Sequence, residues 1–428
     1  MSLAFVCKGR PASFGTCGRA LPRRGFCTLA DRVRRASYNS RMAQSFERSF
    51  DVCIRGAGIV GRTLALLLAR ERLSVALVDT AGSRAPSHSD VRAYAMNTAS
   101  RTLLESVRSW PDPEHATAVL QMQVHGDQGG AVTFDAGRQH AEAMAWIVDV
   151  PALERRLADA TRFQPLVDVV KEPVAAPLTV VCEGRASSSR AEFGVEFDVT
   201  PYGQTAIATR LRCERPHSQI ARQWFTADGS ILAFLPLEGD QGNSVAVVWS
   251  IPHDQAQHWL QSDDAPFVQK LQELSEYSLG TLESIAPRAS WPLQQAQARR
   301  WCGDMATADG HRQHWALAGD AAHTVHPLAG QGLNIGLGDV AALARILGER
   351  QGWRSVGDMR LLRQYERERK SALLPLGATM DALQQLFARR ESPLQTLRNW
   401  GMRGFEMSGP FKEWVARQAM GLQPPPRP

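Results

Sequence analysis

The stretch FDVCIRGAGIVGRTLALLLARERLSVALVD, residues 50–79, decides the fold. Its run Asp51–Ile54 is short and apolar, which predicts a buried strand. Gly56, Gly58 and Gly61 follow as G-x-G-x-x-G. Residues 59–70 are strong helix formers, and Ser74–Asp79 predicts a second strand ending at Asp79. Strand, glycine turn, helix and strand make the βαβ unit that a dinucleotide fingerprint requires. Gly56 allows the tight turn, Gly58 lets a pyrophosphate approach the backbone, and Gly61 lets the helix pack on the strand. The helix start offers unpaired N–H groups and partial positive charge to phosphates. Asp79 is placed for a pair of ribose hydroxyls. A glycine-rich turn without a ligand is the plainer reading, and the motif does not choose between NAD and FAD.

A second stretch, GDAAHTVHPLAGQGLNIGLGD at 319–339, holds five glycines. The apolar run 315–318 predicts a strand that ends at Gly319 and Asp320. An Asp at that edge can accept hydrogen bonds from a sugar-like chain. Pro327, Gly330, Gln331, Gly332 and Asn334 then lead into the apolar helix pattern IGLGDVAALARIL. Two glycine-opened helix starts suit FAD, with pyrophosphate at the first and the pyrimidine edge of the flavin at the second. The glycines of 319–339 are thus expected to admit a flat flavin ring. A third stretch, VVCEGRASSSR at 180–190, reads alone as a strand, a turn and a polar loop; it carries Glu183, Gly184, Ser187 and Arg190.

The 428 residues are enough for roughly two or three domains. No run of about 18 apolar residues exists to span a membrane. The seven cysteines never form a C-x-x-C pair, which argues against a zinc site and a disulfide framework. No metal-ligand spacing or Ser/His/Asp arrangement competes with the dinucleotide reading. The net charge of +6 is concentrated in residues 1–50, which carry +8, leaving −2 on the rest. A nucleic-acid-binding face on the fold is therefore not supported. Residues 1–48 are rich in Arg and Ser and poor in acids. They read as an upstream extension, with the functional chain starting near Met42, or as a transit peptide.

Taken together, GAGIVG at 56–61, EGRASSSR at 183–190 and GDAAHTVHPLAGQGLN at 319–334 resemble the FAD-dependent aromatic-ring monooxygenases of the para-hydroxybenzoate hydroxylase fold. VRAYAMNTAS at 91–100, residues 202–237, RQYERERK at 363–370 and RQAMGL at 417–422 resemble the ubiquinone-biosynthesis hydroxylases within that superfamily. The resemblance implies an α/β protein: a Rossmann-like FAD-binding domain of the GR2 type, an interleaved antiparallel β-sheet substrate domain, and C-terminal helices. The expected divisions are a basic leader at 1–48, a first FAD-binding segment at 49–190, and the substrate sheet at 191–300. A second FAD-binding segment at 301–345 and a C-terminal helical region at 346–428 complete the chain.

The resemblance also implies roles. Gly56, Gly58 and Gly61 would hold the pyrophosphate, Asp79 the adenosine ribose, and Arg92 a further portion of the cofactor. Glu183 and Gly184 belong to the second cofactor loop. Gly319 and Asp320 would meet the ribityl chain, while Gly330 opens the turn before Gly332, Leu333 and Asn334, whose amides would face the pyrimidine edge. Pro327 would lie by the reacting face of the ring, and His323 is either a loop-ordering residue or a catalytic acid/base. NAD(P)H would act as transient reductant without its own fingerprint, and a flavin C4a-hydroperoxide would hydroxylate a phenolic, polyprenylated ring in ubiquinone biosynthesis. A soluble aromatic substrate and a catalytically weakened scaffold subunit are the alternatives. Two departures motivate the last: Glu183 stands where the family has Asp, and the segment 157–182 is short, as if a hairpin near the cofactor were missing. Phe225, Phe234, Pro236 and Trp249 could line an apolar cavity or serve as plain core. The Trp- and Arg-bearing segment 392–422 could lie on an anionic membrane or cap the FAD domain. The expected location is cytoplasmic, peripheral to the inner membrane within a biosynthetic complex, or the mitochondrial matrix if 1–48 is a transit peptide.

Overall fold

The computed structural model describes residues 49–80, 90–127, 129–306, 312–324 and 331–388. The leader, Pro327, Gly330 and the segment 392–422 lie outside the described residues.

From the N-terminal side the chain forms β1 (Val52–Arg55), α1 (Ile59–Arg70), β2 (Val75–Val78), β3 (Ala93–Met96) and α2 (Thr98–Ser106). Next come β4 (Ala116–Val119), β5 (Gln121–His125), β6 (Ala131–Asp135), β7 (Ala145–Asp149), α3 (Val150–Arg162), β8 (Val167–Val170) and β9 (Leu178–Val181). The central region holds α4 (Ser189–Glu192), β10 (Phe197–Cys213), β11 (Ile220–Phe225), β12 (Ile231–Leu237), β13 (Ser244–Pro252), α5 (His253–Gln261) and α6 (Asp264–Leu274). Then follow β14 (Leu282–Ser284), β15 (Ala289–Ala298), β16 (Cys302–Ala306), β17 (Arg312–Leu317), β18 (His323–Thr324), α7 (Gly332–Gly348) and α8 (Met359–Ala388).

One sheet has the order β16-β17-β9-β1-β2-β8, parallel from β17 to β8 with β16 antiparallel at the edge. Its central strands are short and apolar because both faces are covered: Val52, Ile54, Val75 and Leu77 pack in the core with α1, α3 and α7, and Cys53 and Val78 face the other way into a smaller cluster, so no alternation survives. No hairpin stands before Cys182, in keeping with the short segment. The link Lys171–Pro177 instead carries the chain from β8, outside β2, to β9, outside β1. Along it Val174 and Ala176 pack on Cys53 and Val78.

The second sheet runs β18-β15-β10-β13-β12-β11-β5-β6, with β14 paired to β10. It holds more than the span 191–300. The β5–β6 hairpin at 121–135 joins it, β5 running parallel to β11. Cross-strand pairing overrides sequence proximity there. One face of this sheet is sealed by α5 and α6, and Phe234 and Trp249 are buried in that layer against Phe267 and Leu271. Pro236 pairs with Val245 of the same layer, two residues on from Phe234, so it shares that face. Of the four candidate cavity residues, only Phe225 lies on the opposite face, alternating with Trp224 of the sealed layer. The other three are core.

A third sheet, β3-β7-β4, packs on the large one. Ile147 and Val119 lie against Ala221, Leu237 and Ala246. Asp149 serves both sides: one oxygen caps α3 at the Ala152 amide (3.2 Å), and the other accepts from Arg210 of β10 (2.7 Å). Arg210 also reaches the carbonyls of Asp90, Val91 and Arg92. The large sheet is thereby tied to the segment entering β3.

Phe267→Ala empties the fully buried position that seals the outer face. It is expected to lower unfolding free energy by about 3–5 kcal/mol, measured by denaturant unfolding of the apoprotein.

Candidate cofactor site

The three glycine-bearing stretches leave the carboxyl ends of three adjacent parallel strands. Arg55 of β1, Val181 of β9 and Leu317 of β17 are in register. The Cys182 amide donates to the Arg55 carbonyl (2.7 Å) and the Ala318 amide to the Val181 carbonyl (3.0 Å). The crevice beyond such strand ends is where open α/β sheets bind ligands.

Glycines in these stretches divide into two kinds. Gly56 has φ +110°, and a Cβ there would lie 2.5 Å from the Cys182 carbonyl oxygen. At Gly61 a Cβ would stand 1.9 Å from the Gly56 oxygen. Gly319 and Gly336 are crowded by the γ-methyls of Val60, with Cβ positions at 3.3 and 3.1 Å. These glycines serve protein packing: α1 settles on β1, and Val60 inserts between the β17 turn and α7. Gly58, Gly184 and Gly332 are different, since a Cβ at each meets nothing within 4 Å. One open position thus lies in each of the three loops, where a ligand would need backbone to approach. Intrahelical acceptors are lacking for the first amides of α1 and α7, at residues 59–61 and 332–334. The Thr324 hydroxyl, in β18, is buried with no partner among the described residues. This combination fits a long, two-ended anionic cofactor such as FAD.

Other side chains set the loops. Arg190 reaches the carbonyls of Gly184 (3.3 Å), Asp320 (3.4 Å) and Ala321 (3.2 Å), contacts that of Arg185, and lies over Phe197. One guanidinium thus joins the second loop to the third. Asn334 donates to the Ala95 carbonyl (2.8 Å) and accepts from the Asn97 amide (3.0 Å), fixing the start of α7 against β3. Glu183 accepts from Ser187 (2.6 Å) and from the Ser189 hydroxyl (2.8 Å) and amide (3.1 Å). Its longer side chain folds back to order its own loop. Ser189 also accepts from Arg55, which pairs with Glu192.

Asp79 is nearly buried at the end of β2, 3.4 Å from Arg62. Arg62 also bonds the Ala57 carbonyl and Thr161. Arg92 forms a fork with Asp90 and lies 3.4 Å from Glu154. Asp320 keeps a half-exposed side chain 3.8 Å from Arg185. The protein crowding around the crevice desolvates its carboxyl and raises it above the ordinary value even though one side stays open, and Arg185 opposes that shift. Burial likewise raises the Tyr94 phenol, which sits near Arg92, Asp320 and Arg185.

His323 is buried, stacked on Trp301 (4.9 Å between ring centroids) and 2.6 Å from Asp339. That setting orders the loop and withholds the ring from solvent. Sequence reasoning overlooked Arg62, Tyr94, Arg210, Asp339 and the bridging role of Arg190 in building the site. Arg62 is the one with a visible signal, a cation inside an apolar helix pattern.

The two kinds of glycine should separate on substitution. Gly61→Ala is expected to collapse the melting temperature of the apoprotein. Gly58→Ala should change apoprotein stability by no more than about 1 kcal/mol yet weaken FAD uptake, measured by titrating FAD into apoprotein.

Residues 167–374 match the family described as FAD binding domain. The chain is 32% identical to ubiquinone hydroxylase UbiL of Rhodospirillum rubrum over 403 residues, 88% of this chain and 91% of that protein. It is 28% identical to 3-demethoxyubiquinol 3-hydroxylase of Escherichia coli, over 87% of this chain and 98% of that protein. The mitochondrial ubiquinone biosynthesis monooxygenase COQ6 of Danio rerio is 27% identical, over 86% and 88%. Among solved structures, PqsL of Pseudomonas aeruginosa has a TM-score of 0.65 at 19% identity, covering 83% of this chain and 99% of that one. p-Nitrophenol 4-monooxygenase PnpA of Pseudomonas putida has 0.64 at 17%, covering 87% and 96%. Both share the fold. By sequence and architecture together, the chain belongs to the FAD-dependent aromatic-ring monooxygenases, among the ubiquinone-biosynthesis hydroxylases.

Proposed function

We propose that the protein hydroxylates a phenolic ring bearing a polyprenyl chain in ubiquinone biosynthesis, with FAD as resident cofactor, O₂ as oxidant and NAD(P)H as transient reductant. The carrying observation is the convergence of three loops, each with one open glycine, at adjacent strand ends. The names of the relatives, hydroxylases of ubiquinone or its precursors, support the substrate class.

FAD when bound supplies the oxygen activation that side chains do not. In this reading the amides at the start of α1 bind the pyrophosphate where Gly58 leaves the approach open, and Gly56 and Gly61 set the turn and the seat of the helix behind it. Asp79 and Arg92 bind the adenosine side, the segment Gly184–Arg185 covers the middle, and Asp320 meets the ribityl chain, presented by the turn that Gly319 begins. Amides of Gly332, Leu333 and Asn334 and the positive end of α7 stabilise negative charge at the pyrimidine edge. Cofactor binding is divided between 49–190 and 301–345, and the sheet of 191–300 with its 121–135 hairpin roofs the substrate. On the inner face of that sheet Ala208, Ala233 and Val248 stand in register, small side chains that leave room. Half-buried Gln223, Phe225, Leu235 and Trp291 belong to the same face. The body excludes water there and presents apolar surface to an aromatic ring. No helix among the described residues is long and apolar enough to cross a membrane. Peripheral membrane contact through 392–422 would bring the site to a polyprenyl substrate.

Purified protein should show a flavin band that NAD(P)H bleaches and O₂ restores, and cells lacking the gene should accumulate a quinone precursor lacking one ring hydroxyl. Colourless protein that cannot be reconstituted would support a scaffold subunit instead. Ala233→Phe is expected to lower kcat/KM by about 10–100-fold without altering FAD content, which steady-state kinetics on holoenzyme would read.

A further inference from the structure

The strongest side-chain cluster outside the open loops centres on Asp339, in the middle of α7. It is completely buried. One carboxylate oxygen accepts from the Gly319 amide (3.0 Å) and from His323 Nε2 (2.6 Å). The other accepts from Arg369 Nε (2.7 Å). Arg369 comes from α8, outside the three glycine stretches, and its Nη2 also donates to the Ile335 carbonyl of α7 (3.3 Å). His323 and Arg369 hold the Asp339 carboxyl below the usual range against the upward push of burial.

We infer that Asp339 and Arg369 are positioning residues of the cofactor site. Arg369 holds Asp339, and Asp339 holds both ends of the Gly319–His323 turn that carries Asp320. Backbone carbonyls along the turn are engaged as well. Those of Asp320 and Ala321 are held by Arg190, and that of Ala322 accepts from the Ala298 amide (2.8 Å). The Gly319 carbonyl accepts from the Ala322 amide (2.8 Å). The Asp320 side chain is left half-exposed. The turn is thus fixed through its backbone, with one carboxylate presented to the site, which is the arrangement that preorganises a ligand contact. Packing alone does not require this. An apolar residue of similar volume would satisfy the core at least as well as a buried ion pair. What the charged cluster adds is direction: the Gly319 amide must point at Asp339, and Gly319 adopts φ +62°. The inference rests on FAD as the cofactor and assigns new residues to its binding.

The test uses full-length apoprotein and holoenzyme, with FAD titration, visible circular dichroism of bound flavin, and thermal melting of the apoprotein. Arg369→Gln and Asp339→Asn are expected to raise the Kd for FAD by about tenfold or more. They should also change the visible dichroism of the flavin. Arg369→Lys, which keeps the charge, should recover some of each effect. Arg345→Gln removes an exposed pair with Glu368 that staples the same two helices, and should leave flavin readouts unchanged. Should the substitutions at 369 lower only the melting temperature, with Kd and dichroism as in wild type, the cluster is a staple and the inference is overturned. If Asp339→Asn does not fold, the pair of Arg369 variants decides alone. Wild-type protein that takes up no FAD would overturn the cofactor assignment itself, whereas normal wild-type uptake with unchanged variants overturns this inference only.

Discussion

No side chain can stand at Gly61, because its first carbon would lie 1.9 Å from the Gly56 oxygen. That close approach of α1 to the end of β1 is the constraint on which the rest depends. It sets the depth of α1 on the sheet and so the height of Val60. Val60 in turn fills the space left by Gly319 and Gly336. The β17 turn and α7 can then reach α1 only where both lack a side chain. The two helix starts are brought to one crevice by interlocked sterics, and their dipoles act on one region.

This changes the meaning of the glycines. In sequence they look alike, and the stretch 319–339 suggests a ring pressed against all of them. In three dimensions Gly319 and Gly336 face Val60, while Gly332 faces open space. Spacing reveals that backbone must be bare; it does not reveal what approaches it. The βαβ unit was legible because its signals are local: a short apolar strand, a turn, and a helix of strong formers. The antiparallel sheet was legible only through the family resemblance, which implied it without its strand order or its added hairpin.

Long-range placement was not legible. The β5–β6 hairpin joins the large sheet through pairing with β11, far away in sequence, and no local pattern encodes that partner. Phe234 and Trp249 carry no mark of which face they occupy until α5 and α6 seal one of them. The short segment before Cys182 was visible as a length. Its consequence, a direct strap from β8 to β9 over Cys53 and Val78, depends on strand order. Glu183 illustrates the same limit at one residue. Its extra methylene was visible, but the serines that take up its carboxylate matter more than its length.

The arginines explain why a site made mainly of backbone needs so many distant side chains. Loops beyond strand ends expose carbonyls that no ladder satisfies, and a buried carbonyl without a donor is costly. Arginine offers several donors in a rigid fork, so one residue can serve carbonyls on separate loops. Arg190 does this between the second and third loops, Arg210 for the segment entering β3, and Arg62 between the first loop and α3. Arg62 and Arg190 pin the backbone of their loops while Gly58 and Gly184 stay open. A neutral residue of similar size would have too few donors, and lysine lacks the planar fork. These largely buried arginines therefore act as scaffolding: Arg62 and Arg210 are neutralised by Asp79 and Asp149, and what they and Arg190 supply is fixed backbone around the open glycines rather than free charge.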